Sequence, residues 1–333
     1  MRALITAAPA YATPARHEIS RCLPTTRLTE LAPGTFLAEG PGPFRGLAPA
    51  LAATTFPRHV CPVQVDRPLD DATGWGEMLA DALAPLGGGD GPVQVQVRCL
   101  PGASAPPVAT LLASARRVLE GAHTQLTGGP APEVISVVWA PGRLLVGRAP
   151  TSQQRSPWPG GEIRLRRDPG EAARSARKLE EALLLFDIPL SPGMAALDLG
   201  AAPGGWTGLL VGRGLQVDAV DTAALAPEIA SHPGLTFHRR TVQSFVPPRG
   251  RFDLICADLS WDPLLAAESV RRFFPSLRRG GWALHTIKFF GHDPLDAIER
   301  VRAILVGGGL RLLAVRHLFH NRAEATAYLR APD

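Results

Sequence analysis

Lysine is almost absent from this sequence of 333 residues. Of its 35 basic residues, 33 are arginine, and the two lysines are Lys178 and Lys288. A solvated positive charge could be arginine at either position, as it is elsewhere in the chain. Arginine cannot release its proton at a useful pH, whereas a lysine in a shielded site can. The two lysines are therefore either chance exceptions or positions where a compact ammonium group takes part in chemistry.

Cysteines and long apolar runs are also scarce. The four cysteines are far apart and form no CxxC pair or Cys/His cluster, so the sequence predicts neither a disulfide framework nor a metal site. No stretch of 18 or more apolar residues occurs, and the apolar stretch before Pro9 is too short for a signal peptide. We therefore expect a cytoplasmic protein with no membrane partner. Because no repeat or coiled-coil pattern is present, we expect a monomer.

The net charge of +5 is mildly basic and compatible with an anionic partner. Basic side chains are densest between residues 155 and 178. Such a run is typical of a solvated face, and it also suits contact with phosphates. The members of this basic run are Arg155, Arg164, Arg166, Arg167, Arg174, Arg177 and Lys178.

The length predicts more than one domain, and we place a boundary between residues 165 and 166. The second part alternates short apolar strands with helices, which indicates an α/β fold with a mainly parallel, Rossmann-like sheet of seven strands whose last strand is antiparallel. The strands are predicted at 194–200, 215–221, 235–240, 252–260, 281–290, 310–319 and 324–330, and the helices at 205–213, 263–277 and 294–306.

Residues 1–165 have a mixed α+β pattern. Strands are predicted within ALITA, TFLAEG and PVQVQVRC, helices within ARHEISRCL and at 107–122, and a hairpin around Pro141-Gly142. A connector rich in proline and glycine, SPWPGGE, then leads to a helix that begins near Glu171.

The segment ALDLGAAPGGWTGLL (196–210) joins a strand to a helix through a glycine-rich turn. Glycines allow a ligand to approach the backbone, and the start of the helix supplies free N–H groups. Asp221 ends the next strand, where a carboxylate can accept hydrogen bonds from both hydroxyls of a ribose. The pattern is neither GxGxxG nor a P-loop. It predicts an adenosine-like ligand without a pyrophosphate, and S-adenosylmethionine fits that description.

The same residues resemble the first motif of the FtsJ-like S-adenosylmethionine-dependent ribose 2′-O-methyltransferases. Those enzymes use a Lys–Asp–Lys–Glu tetrad, with the first lysine on the helix before the first strand and the other three residues at strand ends. The resemblance implies that the catalytic residues here are Lys178 (SARKLEEAL), Asp258 (ICADLS), Lys288 (HTIKFF) and Glu324 (NRAEATAYL). The implied cofactor-binding residues are Ser175, Gly200, Ala202, Pro203, Gly204, Gly205, Trp206, Asp221, Thr241 and Asp258.

Two of these positions carry an open question. The family has an aspartate at the position of Thr241, and a hydroxyl is a poorer acceptor for the adenine amino group, so the change weakens the expected cofactor contact. Trp206 either walls the cofactor pocket or packs in the core. A second aromatic position, Trp261, is suited to stacking on a base, although the DLSWDP segment lacks the paired prolines that are typical of enzymes that methylate base nitrogens.

A longer resemblance, over 132–183 and more weakly over 44–60, is to the ribosomal RNA large subunit methyltransferase M family. It implies that residues 1–165 form a ferredoxin-like or THUMP-like RNA-binding region and that residues 166–333 methylate a ribose 2′-hydroxyl of 23S ribosomal RNA, at a cytidine. RNA, and not DNA, is then the partner. Two alternatives stay open: a non-catalytic protein that binds RNA and S-adenosylmethionine, and a small-molecule O-methyltransferase.

Within the tetrad, Lys288 is the candidate base. We expect Lys178 and the positive sulfur of the cofactor to lower its pKa, and Asp258 and Glu324 to oppose that shift, so the sequence leaves the net direction open. It also leaves open which lysine takes the proton.

Overall fold

The computed structural model describes residues 1–69, 74–89, 91–165 and 175–333. The chain divides into two compact units, Met1–Ile163 and Arg164–Asp333. The predicted helix start near Glu171 lies outside the described residues, as do Arg166, Arg167 and Arg174 of the basic run.

The first unit begins with a four-stranded antiparallel sheet of order β2-β3-β1-β4. On helix α1, the buried carboxylate of Glu18 accepts hydrogen bonds from the backbone amides of Thr55 (2.8 Å) and Phe56 (2.8 Å), which fixes the loop before β4. The elements are β1 (Arg2–Thr6), α1 (Ala12–Cys22), β2 (Arg27–Ala32), β3 (Thr35–Glu39), α2 (Leu47–Ala50) and β4 (His59–Pro62).

The second sheet of this unit has five strands in the order β5-β9-β8-β6-β7. Strands β8 and β9 pair antiparallel, which confirms the hairpin predicted around Pro141-Gly142. Helix α3 was not predicted. The elements are β5 (Val65–Pro68), α3 (Trp75–Leu83), β6 (Val93–Cys99), α4 (Val108–Gly121), β7 (Leu126–Thr127), β8 (Glu133–Ala140) and β9 (Arg143–Pro150).

The proline- and glycine-rich segment after β9 is part of the first unit and is not a free connector. The Arg155 guanidinium donates hydrogen bonds to the carbonyls of Pro57 (3.0 Å), Thr54 (3.1 Å) and Leu51. The amide nitrogen of Gln96 reaches the carbonyl of Pro157 at 2.8 Å. Since three carbonyls occupy the Arg155 guanidinium, this member of the basic run has a structural partner.

The second unit contains the predicted seven-stranded sheet, with the order β12-β11-β10-β13-β14-β16-β15. Strand β16 is antiparallel to both of its neighbours, and the other pairs are parallel. The elements are α5 (Ala176–Leu185), β10 (Ala195–Leu199), α6 (Gly205–Gly212), β11 (Gln216–Asp221), α7 (Pro227–Ala230), β12 (Leu235–Arg239), β13 (Phe252–Ala257), α8 (Pro263–Arg271), β14 (Leu277–Lys288), α9 (Pro294–Val306), β15 (Arg311–Arg316) and β16 (Glu324–Arg330).

The central strands are apolar on both faces because helices cover them. Leu197, Leu254 and Leu284 are all fully buried, one on each of three adjacent strands. The helix predicted at 263–277 is shorter than expected: α8 ends at Arg271, and a 3-10 turn with Pro275 follows, since proline cannot donate the next helical hydrogen bond.

The strand order reverses between β10 and β13, which is where ligands bind in open α/β sheets. Both strands end at the same edge, next to the glycine-rich turn. In the described part of the chain, none of the helices is long and apolar enough to cross a membrane.

Candidate active site

Four charged side chains meet at the carboxyl edge of the sheet. Lys178 comes from α5, Asp258 follows β13, Lys288 ends β14 and Glu324 begins β16. The antiparallel register of β14 and β16 sets Lys288 directly opposite Glu324. The structure therefore brings together the four residues that the resemblance implied as a tetrad.

The four groups form a closed ring of alternating charge. The Lys178 ammonium lies 2.6 Å from Oδ2 of Asp258 and 3.0 Å from Oε1 of Glu324. The Lys288 ammonium lies 2.7 Å from Oδ1 of Asp258 and forms an ion pair with Oε2 of Glu324. Each carboxylate thus bridges both lysines, and each lysine bridges both carboxylates.

Burial makes these ion pairs strong. The four side chains are between 7% and 14% exposed. Charges in such an environment attract each other more strongly than they would in water, and they are costly to leave unpaired. The lysines are the counter-charges of the two carboxylates. Over the described ranges, no group of three or more His, Cys, Asp or Glu residues is placed to hold a metal ion.

The contacts within the ring shift the pKa values of Asp258 and Lys288. Burial by itself would raise the pKa of Asp258, but the charges of Lys178 and Lys288 outweigh it and hold that pKa at about 2. Burial would lower the pKa of Lys288, but Asp258 and Glu324 outweigh it and raise that pKa above its ordinary value. The sequence had left the direction for Lys288 open, and the carboxylates prevail over the effect of burial because both lie within hydrogen-bonding distance.

The glycine-rich turn leaves little room for side chains. Gly200 has a φ of +80°, and a Cβ there would lie 3.0 Å from the carbonyl oxygen of Asp258. Gly204, at the start of α6, has a φ of +115°, and a Cβ there would lie 2.8 Å from the side chain of Ile229. Both positions favour glycine because L side chains rarely adopt these angles.

Asp221 fixes both the glycine-rich turn and the loop that follows β11. Its Oδ2 accepts a hydrogen bond from the backbone N–H of Ala202 (2.9 Å), and its Oδ1 accepts one from Ala223 (2.8 Å). A carboxylate has about four acceptor positions, so each oxygen retains capacity for a further donor.

A cavity of about 230 Å³ lies at this edge of the sheet. Both Asp221 and Asp258 line it, which makes it continuous with the charged ring. Its wall also includes Gly200, Ala202, Thr241 and Trp261.

The remaining predicted cofactor residues lie in or near the same turn. Trp206 is 4% exposed and packs in the core, and its indole N–H donates to the backbone carbonyl of Ser175 at 2.8 Å. This hydrogen bond connects α6 to Ser175, the residue that precedes α5. The contacts of Ser175, Pro203, Gly205 and Trp206 with a cofactor stay predictions.

Thr241 is engaged in its own turn. Its hydroxyl donates to Oγ of Ser244 at 3.0 Å and accepts the backbone N–H of the same residue at 3.3 Å. The side chain therefore caps the short helix at 242–244 and still faces the cavity.

Sequence reasoning missed two residues that hold the ring. Thr286 donates its hydroxyl proton to Oδ1 of Asp258 at 2.7 Å. Asn321 lies 3.5 Å from Oε1 of Glu324, and its own oxygen accepts the N–H of Leu318 at 2.8 Å. The signal for Thr286 was available, because residues two apart on a strand share a face and Lys288 follows two residues later.

One deeply buried carboxyl lies beneath the turn. Asp198 accepts a hydrogen bond from the Thr207 hydroxyl at 2.6 Å, while its Oδ1 has no hydrogen-bond partner among the described residues. Burial, reinforced by the charges of Asp258 and Asp221, raises its pKa to about 7.

Comparison with known proteins gives an independent view of this unit. Residues 172–278 match the family of FtsJ-like methyltransferases. The chain is 36% identical over 190 residues to the Ribosomal RNA large subunit methyltransferase M of Laribacter hongkongensis, covering 54% of each chain. It is 37% identical over 183 residues to the protein of the same name from Halorhodospira halophila, covering 53% of this chain and 52% of that protein.

The chain spans about half the length of the curated relatives it matches. Among solved structures, TrmN from Thermus thermophilus has a TM-score of 0.41 at 15% identity, covering 99% of this chain and 100% of that one, which is too remote to bear on function. The family match covers two members of the charged ring, Lys178 and Asp258. Residues 172–278 of this chain are thus similar to FtsJ-like methyltransferases, and over about half its length the chain is similar to proteins named Ribosomal RNA large subunit methyltransferase M.

Proposed function

We propose that this chain transfers a methyl group from S-adenosylmethionine to a ribose 2′-hydroxyl of RNA, with large-subunit ribosomal RNA as the substrate. The observation that carries the proposal is the closed ring of Lys178, Asp258, Lys288 and Glu324 beside the cavity. Two buried lysines held by two carboxylates are suited to a hydroxyl that must lose its proton. The names of the relatives support ribosomal RNA as the substrate class.

The turn and the cavity suit an adenosine-like cofactor. The positive φ of Gly200 lets the backbone pass close to a ligand, and each oxygen of Asp221 can accept one ribose hydroxyl in addition to its backbone donor. Thr241 faces the same cavity and offers a hydroxyl to the adenine end. When bound, S-adenosylmethionine supplies an electrophilic methyl group on a positively charged sulfur.

The residues of the charged ring would handle the proton of the ribose hydroxyl. A ribose hydroxyl seated against it accepts a hydrogen bond from one ammonium and gives its proton to the other lysine, which must first be neutral. Because Asp258 and Glu324 raise the pKa of Lys288, that lysine is charged in the ring as it stands. The positive sulfur of bound S-adenosylmethionine would lower the pKa of a lysine beside it. We assign the base to Lys288 and the orienting charge to Lys178.

We extend the proposal to the first unit, which we take to be a THUMP-like region that binds the RNA. The whole chain would then act as a cytoplasmic monomer on RNA and not on DNA. The net charge of +5 supports an anionic partner.

The experiment is an incubation with cofactor labelled on the methyl group and with large-subunit ribosomal RNA, either naked or in particles, followed by alkaline hydrolysis. A 2′-O-methyl group blocks cleavage at its own phosphate and leaves a labelled dinucleotide. Label in mononucleotides only would indicate base methylation and contradict the proposal. Tight cofactor binding without any labelled RNA would favour a non-catalytic binding protein or a small-molecule substrate.

Lys288→Arg is the test of the proposed base. Arginine keeps the charge and can pair with both carboxylates, but it cannot accept the proton. We expect methyl transfer to fall by about 10²-fold or more, with cofactor affinity maintained. The matched control is Arg300→Lys on the exposed face of α9, which should leave the rate unchanged. Near-normal activity of Lys288→Arg would exclude Lys288 as the base.

A further inference from the structure

The turn that follows β14 has an unexpected residue at its tip. Phe290 has a φ of +34° and Gly291 a φ of +82°, and the N–H of His292 closes the turn on the carbonyl of Phe289 at 2.7 Å. Two central residues with positive φ are the mark of a type I′ turn, where glycine, asparagine and aspartate dominate. A phenylalanine at the first of these positions opposes the local backbone preference.

Packing does not account for this phenylalanine. Phe290 is 56% exposed, whereas the preceding Phe289 is 4% exposed and part of the core. A large aromatic ring is therefore held in solvent, on a backbone conformation that a smaller residue would adopt more readily. Strained positions of this kind are concentrated at functional sites.

The turn is fixed at the edge of the charged ring. Phe290 lies two residues after Lys288, so the chain between them spans at most about 7 Å. The imidazole Nε2 of His292 lies 2.9 Å from Oδ2 of Asp262, in the loop after β13. Asp262 in turn caps α8, because its Oδ1 accepts the N–H of Leu264 at 2.9 Å.

The loop after β13 also carries a second aromatic residue at the carboxyl edge of the sheet. Trp261 precedes Asp262 and lines the cavity together with Asp258. The contact between His292 and Asp262 therefore ties the turn of Phe290 to the loop of Trp261, and each of these segments begins next to a member of the charged ring, Lys288 or Asp258. The exposed aromatic side chain of Phe290 therefore stands on an anchored turn, close to the charged ring where a ribose would react.

We propose that Phe290 is a stacking platform for a nucleobase of the RNA substrate, and that it positions the ribose at the ring of Lys178, Asp258, Lys288 and Glu324. This inference rests on the proposed function and names a substrate contact of the same site. A flat apolar face recognises any base, because every base has a π-face, and this is how proteins hold unpaired nucleotides. The contact would be with single-stranded RNA, where the bases are free to stack.

The test compares Phe290→Gly with the unmodified protein in RNA binding, in the presence of S-adenosylhomocysteine. Two probes are used: a short single-stranded RNA of mixed sequence, and an oligomer of the same length made of abasic sugar phosphates. We expect Phe290→Gly to raise the Kd for the RNA about tenfold and to leave the Kd for the abasic oligomer within about twofold. Phe290→Trp should bind the RNA as the unmodified protein does.

Glycine also separates this role from a structural one. Because glycine adopts positive φ without strain, Phe290→Gly should unfold at the same or a higher temperature than the unmodified protein. Val246→Gly, which removes an exposed apolar side chain from another loop, is the matched control and should bind both probes normally. Equal losses for both probes, or no loss for either, would overturn the proposal.

The binding readout is independent of methyl transfer. If the unmodified protein yields no labelled dinucleotide but Phe290→Gly still loses only the base-containing probe, the proposed reaction fails and the stacking contact stands. If methylation occurs and the two probes respond alike, the reaction stands and the stacking contact fails.

Discussion

The ammonium of Lys178 lies 2.6 Å from Oδ2 of Asp258, a residue 80 positions further along the chain. This contact connects the helix that precedes the sheet to the end of one of its central strands. Through Asp258 and Glu324 it continues to Lys288, so that four charges from four elements form one buried unit. Each charge in such a unit depends on the others, because none of them is well solvated.

The first prediction concerns the balance of charge in the ring. Glu324→Gln leaves two ammonium groups with one carboxylate, so one positive charge is buried without compensation. We expect the free energy of unfolding to fall by about 3 kcal/mol, as measured by denaturant titration at neutral pH. Glu299→Gln on the exposed face of α9 is the control and should stay within about 0.5 kcal/mol of the parent. A loss below about 1 kcal/mol for Glu324→Gln would mean that the ring contributes little to folding.

The second prediction is acid sensitivity. The pKa of Asp258 is about 2 in the folded protein, below its ordinary 3.8, because the lysines outweigh the effect of burial. Between about pH 4 and pH 2 the unfolded chain binds a proton at this residue and the folded chain does not. The contribution of Asp258 to the free energy of unfolding is about 2 kcal/mol. It is fully present above pH 4 and is lost as the pH falls toward 2. Stability curves over this range should be steeper for the parent than for Asp258→Asn, and equal slopes would contradict the assignment.

The sequence predicted the strands of the second unit well because each is a short apolar run bounded by turn residues. It could not predict that β16 inserts between β14 and β15, since local patterns carry no information about which strands pair. That insertion is what sets Lys288 opposite Glu324. The tetrad was therefore found through a family resemblance, while its closed geometry came from the register.

Two other features could not be predicted from the sequence for similar reasons. SPWPGGE has the composition of a linker, but Arg155 and Gln96 bind this segment to the first unit through contacts with residues distant in sequence. The direction of the Lys288 pKa depends on a balance between opposing charges at hydrogen-bonding distance. A sequence pattern identifies the charged residues, but it does not give the distances between them that determine the direction of the pKa shift.

The third prediction concerns the buried carboxyl of Asp198. Burial raises its pKa to about 7. Between about pH 4 and pH 7 the folded protein keeps this proton and the unfolded chain loses it, so stability falls as the pH rises. The free energy of unfolding should fall by on the order of 4 kcal/mol between pH 4 and pH 7 because of this residue.

Asp198→Asn tests this, because an asparagine carries no charge and its side-chain oxygen can still accept the hydrogen bond from Thr207. The free energy of unfolding of this variant should decline less than that of the parent between pH 4 and pH 7. Parallel curves for the two proteins would show that Asp198 is ionised in the folded state at neutral pH.

The fourth prediction is a gain of affinity at Thr241. The Thr241 hydroxyl donates its proton to Ser244 and already accepts one N–H, so it is a weak acceptor for the amino group of a bound adenine. An aspartate can cap the same turn with one oxygen and face the cavity with the other. Arg240, which also lines the cavity, would offset part of the added negative charge.

Because hydrogen bonds to charged groups contribute about 1.5–3 kcal/mol, we expect Thr241→Asp to bind S-adenosylhomocysteine about tenfold more tightly in calorimetric titrations. Thr241→Asn is the matched control, since it keeps the cap and offers only a neutral acceptor, and its gain should be smaller. Unchanged or weaker binding by Thr241→Asp would mean that the adenine amino group lies elsewhere. The cavity beside Asp258 would then hold the cofactor in a different orientation, with Asp221 no longer at its ribose.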